Sequence, residues 1–149
     1  MTNNDILRSV RYILNVNESK LIEIISLTGF QVSKDDLDSF LKYEEEEGYK
    51  NCSDKVLSRF LDGLVIFKRG KNENAPAQAF EISLTNNTIL KKLRVAFELK
   101  DSDIIQLIEK AGLKVSKSEL GAFFRKPDHR NYRDCGNQFL RNLLKGMAK

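Results

Sequence analysis

The chain has 149 residues, 41% hydrophobic and 31% charged, and its 25 Lys/Arg against 21 Asp/Glu give a formal net charge of +4. That balance fits a globular protein of one ordinary domain or two small ones, and no apolar stretch approaches the roughly 20 residues that span a bilayer. Two cysteines make no disulfide framework, and a single histidine, His129, rules out a His-rich metal site. The start Met-Thr-Asn-Asn-Asp lacks the basic and apolar segments of an export signal, so the expected location is the cytoplasm, with reduced thiols and no membrane partner.

Apolar residues recur at helical spacing along the whole chain. Ile6, Leu7, Val10, Ile13 and Leu14 line a first helix that Thr2, Asn3 or Asn4 can cap. Asn17 caps a second, whose inner side is Leu21, Ile22, Ile24 and Ile25, and Gly29 is its left-handed terminator. Ser33-x-x-Asp36 starts a third helix with Leu37, Phe40 and Leu41 inward. A polar loop follows, then a fourth helix from about Ser53 to Lys68, into which the apolar run Leu64–Phe67 extends. Residues 69–83 are polar, contain Pro76 and read as a linker, with Phe80 and Ile82 expected to dock onto a domain.

The remainder repeats the beginning. An offset of 83 aligns Thr2–Leu64 with Thr85–Met147 without a gap, and 20 of 63 pairs are identical. Thr2-Asn3-Asn4-x-Ile6-Leu7 returns at Thr85, Gly29-x-x-Val32-Ser33-Lys34 at Gly112, Tyr49-x-x-Cys52 at Tyr132, and Gly63 at Gly146. The expected fold is all-α: two tandem four-helix repeats, helix-turn-helix-like, packed with approximate pseudo-twofold symmetry around a partly shared core. The boundaries are 1–68, a linker at 69–83, and 84–149.

The copies differ in charge. Residues 1–69 carry a balance of −2 and residues 70–149 one of +6. After the third helix the first copy has Lys42-Tyr43-Glu44-Glu45-Glu46-Glu47, and the second has Arg125-Lys126-Pro127-Asp128-His129-Arg130 followed by Arg133. Lys114, Lys117, Arg125, Lys126, Arg130 and Arg133 therefore form a candidate anion-binding patch, suited to phosphates by charge and, for Arg, by bidentate geometry. The stretch Asp103–Arg125 reads as helix, glycine turn and second helix, which in a DNA-binding version would bring Ser116, Lys117, Ser118 and Gly121 to base edges. The first copy has Asp35 and Asp38 at such places, so two equivalent half-sites are not expected. Solvated charged faces are the plain alternative.

Enzyme chemistry finds little footing. No phosphate-binding loop, dinucleotide glycine motif or paired-cysteine zinc motif occurs. Cys52 and Cys135 hold matching places and read as small buried residues, while a Cys135–His129 catalytic pair would need a loop to bring them together. Tyr49 and Tyr132 are expected to pin the loops through their rings. Arg11 and Arg94 fit either first-helix ion pairs or a shared ligand contact.

The doubled pattern Thr-Asn-Asn-x-Ile-Leu, Gly-x-x-Val-Ser-Lys-x-x-Leu, Tyr-x-x-Cys resembles the YehS-like family of small bacterial proteins, which carries a duplicated domain of unknown function. The resemblance covers essentially the whole chain. It implies a bacterial cytosolic protein and brings no catalytic or binding residues with it. The resulting expectation is a non-enzymatic binding module without cofactor or metal, whose preferred partner is nucleic acid through the basic second repeat. The alternative is a protein-interaction adaptor using the acidic Glu44–Glu47 surface or an inter-repeat groove. The oligomeric state is left open.

Overall fold

The computed structural model describes residues 1–70 and 84–149. Among these residues there are eight helices and no strand, four in each of two compact units, Met1–Leu84 and Thr85–Lys149. The first unit has α1 (Asn3–Leu14), α2 (Glu18–Ser26), α3 (Lys34–Leu41) and α4 (Asp54–Arg69). The second has α5 (Asn86–Ala96), α6 (Asp101–Lys110), α7 (Lys117–Phe123) and α8 (Asn137–Ala148). The all-α, four-plus-four reading of the sequence is thus the fold. The linker residues from 71 to 83, with Phe80 and Ile82, lie outside the described residues.

Capping residues set the starts. Of the three candidates for α1, Thr2 is the cap: its hydroxyl accepts from the Asp5 amide at 3.1 Å, and the Asp5 carboxylate accepts from the Thr2 amide at 2.9 Å. Asn17 accepts from the Lys20 amide, and Ser33 and Ser116 accept from the amides of Asp36 and Glu119. Thr85 repeats the role of Thr2 on α5. Gly29 and Gly112 follow α2 and α6 at φ +84° and +89°, a backbone region that an L side chain rarely enters. Leu64–Phe67 lies within α4, which runs to Arg69.

In each unit the second and fourth helices lie against each other. Leu21, Ile24 and Ile25 of α2 are fully buried, as are Ile104 and Ile108 of α6. Leu57, Phe60, Leu61 and Leu64 cover them from α4; Leu140, Leu143 and Leu144 are their counterparts on α8. What lets the helices approach is a missing side chain. A Cβ on Gly63 would stand 2.1 Å from the Ile24 carbonyl oxygen, and one on Gly146 would stand 2.2 Å from that of Leu107. Any larger residue there would drive α4 off α2, or α8 off α6, and open the apolar contact along the whole helix.

A paired substitution tests this. In a helix interior Ala is favoured over Gly by about 1 kcal/mol. At Gly121 in α7 a Cβ meets nothing within 4 Å, so Gly121→Ala should raise stability by up to about 1 kcal/mol. Gly146→Ala should reverse the sign and lose about 2–3 kcal/mol. Urea unfolding followed by circular dichroism reads both, and equal signs would refute the close-approach account.

Candidate anion-binding cleft on the second repeat

The loop between third and fourth helix has no regular backbone ladder of its own, so most of its order must come from elsewhere. It comes from the start of the first helix. Asn87 on α5 donates to the carbonyls of Phe123, at 3.0 Å, and Arg133, at 2.8 Å, and its oxygen accepts from the Cys135 amide at 2.8 Å. Asn86 donates to the Cys135 carbonyl and to Asn137 Oδ1. The Arg133 amide closes on the Ala122 carbonyl at 3.1 Å. The first repeat has the same arrangement, with Asn4 bonded to the Phe40 and Lys50 carbonyls and the Cys52 amide, and Asn3 to the Cys52 carbonyl and Asp54. From the sequence alone Asn3 and Asn4 read only as possible caps. The usable signal was their recurrence together with the distant Tyr-x-x-Cys, because two such motifs kept at one spacing point to contact between them.

The tyrosine and cysteine complete each anchor. The Tyr49 hydroxyl sits 2.8 Å from Asn51 Oδ1 and 3.2 Å from Asn4 Oδ1, so it pins the loop through its hydroxyl as well as its half-buried ring. Tyr132 is likewise half-buried; desolvation, with Asp134 bonded to its hydroxyl, holds it above the usual phenol range. Cys52 and Cys135 are buried beneath the loops, and burial pushes both thiols up to about 12, aided at Cys52 by the Asp54 charge. Neither is a thiolate near neutral pH. His129 is exposed, and its Nδ1 accepts from the Asn131 amide at 3.0 Å.

On this fixed loop and the facing side of α7 opens a polar cleft of about 370 Å³. Ser118 and Glu119 of α7 and Arg125, Arg130, Tyr132 and Arg133 of the loop form most of its wall. Three of the six cations singled out in the sequence, Arg125, Arg130 and Arg133, are therefore brought together. Lys114, in the turn before α7, Lys117, at its first residue, and Lys126, beside Arg125, are exposed and stand outside the wall. Glu119 and Asn131 belong to the wall although the charge pattern did not single them out.

The same place in the first repeat has the opposite character. Lys42, the counterpart of Arg125, donates to the Glu47 carbonyl at 3.0 Å, and Lys50, the counterpart of Arg133, pairs with Asp36 at 3.0 Å. The Lys50 ammonium, by its hydrogen bond and charge, holds the Asp36 carboxyl below the usual carboxylate range. Arg8 lies over the Tyr43 ring, bonds the Lys42 carbonyl and pairs with Asp5. Asp35, Asp36 and Glu47 thus set three carboxylates against Lys42 and Lys50, where the second repeat sets three guanidiniums against Glu119. Nearby, the Asp38 carboxylate, as acceptor for the protonated Glu18 carboxyl, and then burial raise Glu18 above its usual 4.5. Arg94 pairs with Asp101 at 3.0 Å over the Phe124 ring, and Arg11 bonds the Val16 carbonyl, so both act within the repeats.

The profile of a family described as a protein of unknown function, DUF1456, matches residues 3–70 and 86–149. The uncharacterized protein YehS of Escherichia coli K12 is 48% identical over 148 residues, covering 99% of this chain and 95% of that protein. No solved structure matches the chain.

Two outcomes follow from the anchors and the acidic pair. Asn87→Ala leaves the Phe123 and Arg133 carbonyls and the Cys135 amide without their partner and should lose about 3 kcal/mol. Cys135, silent toward a thiol reagent at pH 8 in the native chain, should become reactive in the variant; unchanged protection would mean that the loop is held by something else. For Glu18 the folded-state value lies above the unfolded one, so its stabilising contribution is full below 4.5 and lost as pH rises through the raised value. Glu18→Gln should therefore raise the urea midpoint at pH 7 and leave it unchanged at pH 4.

Proposed function

Because the chain belongs to DUF1456, a family of unknown function, we propose from its own chemistry that it is a non-enzymatic module binding the phosphate backbone of nucleic acid through the second repeat. The observation that carries this reading is the convergence of Arg125, Arg130 and Arg133 on one cleft. Guanidinium groups remain charged at any physiological pH and match phosphate oxygens two at a time. They stand on a loop whose backbone is fixed by Asn87, so little ordering is left for binding to supply. Lys114, Lys117 and Lys126, exposed and outside the wall, extend the positive field without forming the seat. The first repeat, whose corresponding lysines are engaged with their own loop and Asp36, serves regulation or self-association.

The test is fluorescence anisotropy of the full chain with a labelled 20-nucleotide strand and with its duplex, in 50 and 200 mM salt. Three phosphate contacts should weaken binding roughly 20- to 40-fold across that range. Changing Arg125, Arg130 and Arg133 together to Gln should abolish it, while Lys42→Gln with Lys50→Gln should not. No binding at micromolar protein, or binding indifferent to salt, would remove the proposal.

A further inference from the structure

The cleft holds more than a phosphate needs. At about 370 Å³ it lies at the small end of the range for small-ligand pockets, roughly 300–1,000 Å³. That size takes one nucleotide and not the convex side of a duplex. Its wall also has Tyr132, a half-buried aromatic ring, and Glu119, a carboxylate that would only weaken a pure phosphate site. In the first repeat the counterpart of Glu119, Asp36, is tied to Lys50. Glu119 is in no ion pair among the described residues, although Arg133 lines the same cleft. An acceptor-only group free of its neighbouring cation is available to N–H donors of a ligand.

Resting on the backbone-binding reading above, we infer that the cleft seats one unpaired guanine of a single strand. The base lies against the Tyr132 ring, and its two adjacent pairing-edge N–H groups meet the Glu119 carboxylate. The flanking phosphates meet Arg125, Arg130 and Arg133. Guanine is the base that offers two neighbouring donors to a carboxylate, and in a duplex those donors are occupied by cytosine. Exposed bases stacked on aromatic rings and recognised at the pairing edge are the usual mode of single-strand recognition. Glu119 is then the specificity residue, repelling phosphate on its own and attractive only when the correct base is present.

Three labelled probes decide it, each titrated against the full chain in 50 mM salt: a 21-nucleotide oligothymidylate with a central guanine, the same strand with a central adenine, and the guanine strand annealed to its complement. The guanine strand should bind about ten-fold more tightly than either of the others. Glu119→Ala should erase the advantage over adenine by weakening the guanine strand, with adenine-strand affinity equal or tighter and the salt dependence intact. A duplex bound as tightly as the strand, no preference for guanine, or a preference that survives Glu119→Ala would overturn this inference while leaving backbone binding in place. Failure of all three probes to bind would instead overturn the backbone reading on which it rests.

Discussion

The structure of each repeat turns on one carboxamide. Asn4 and Asn87 each satisfy a last-turn carbonyl of the third helix and one carbonyl and one amide of the following loop, which has no regular hydrogen-bond ladder of its own. The task selects the residue type. Aspartate has no donors to offer, serine cannot reach three groups, and glutamine would need a longer, less ordered stem. Because an unmet backbone group costs up to about 1–3 kcal/mol as it is shielded from water, several settled by one side chain outweigh the entropy of ordering it. The arginines of the second loop inherit their positions from this anchor.

Beneath the loop, the helices depend on a backbone approach that only glycine allows. At Gly63 and Gly146 the fourth helix rests against a carbonyl of the second, and the flanking leucines and Phe60 close the core around that point. The duplication has kept both devices, glycine contact and carboxamide anchor, at one spacing. The charges over them differ between the copies: Arg130 holds the place of Glu47, and Arg125 that of Lys42.

The helices were readable in the sequence because their signals are local. Apolar spacing, Ser and Thr caps and the turns at Gly29 and Gly112 act within a few residues, and each lies where the pattern placed it. The anchors were not, because Asn4 and Lys50 meet across 46 positions and a lone asparagine near a helix start looks like any other cap. The candidate site was legible in half. The run of cations marked the loop that carries the cleft, yet charge pattern alone does not say which members face one another. Lys114, Lys117 and Lys126 fell outside the wall, and Glu119, whose sign argued against inclusion, fell inside it. Tyr132 reads in the sequence as a loop pin, and the structure adds that it lines the cleft beside the arginines.

The anchoring contacts to each loop are made almost wholly to main-chain atoms, and the side chains that point outward take no part in them. Such a support is indifferent to what the loop displays. The segment between the third and fourth helix therefore behaves as an exchangeable cassette: its outer residues can be rewritten, or traded between the two halves, without reworking the frame that holds them. Two copies of one frame can therefore carry a self-neutralised surface on one loop and an arginine-rich one on the other.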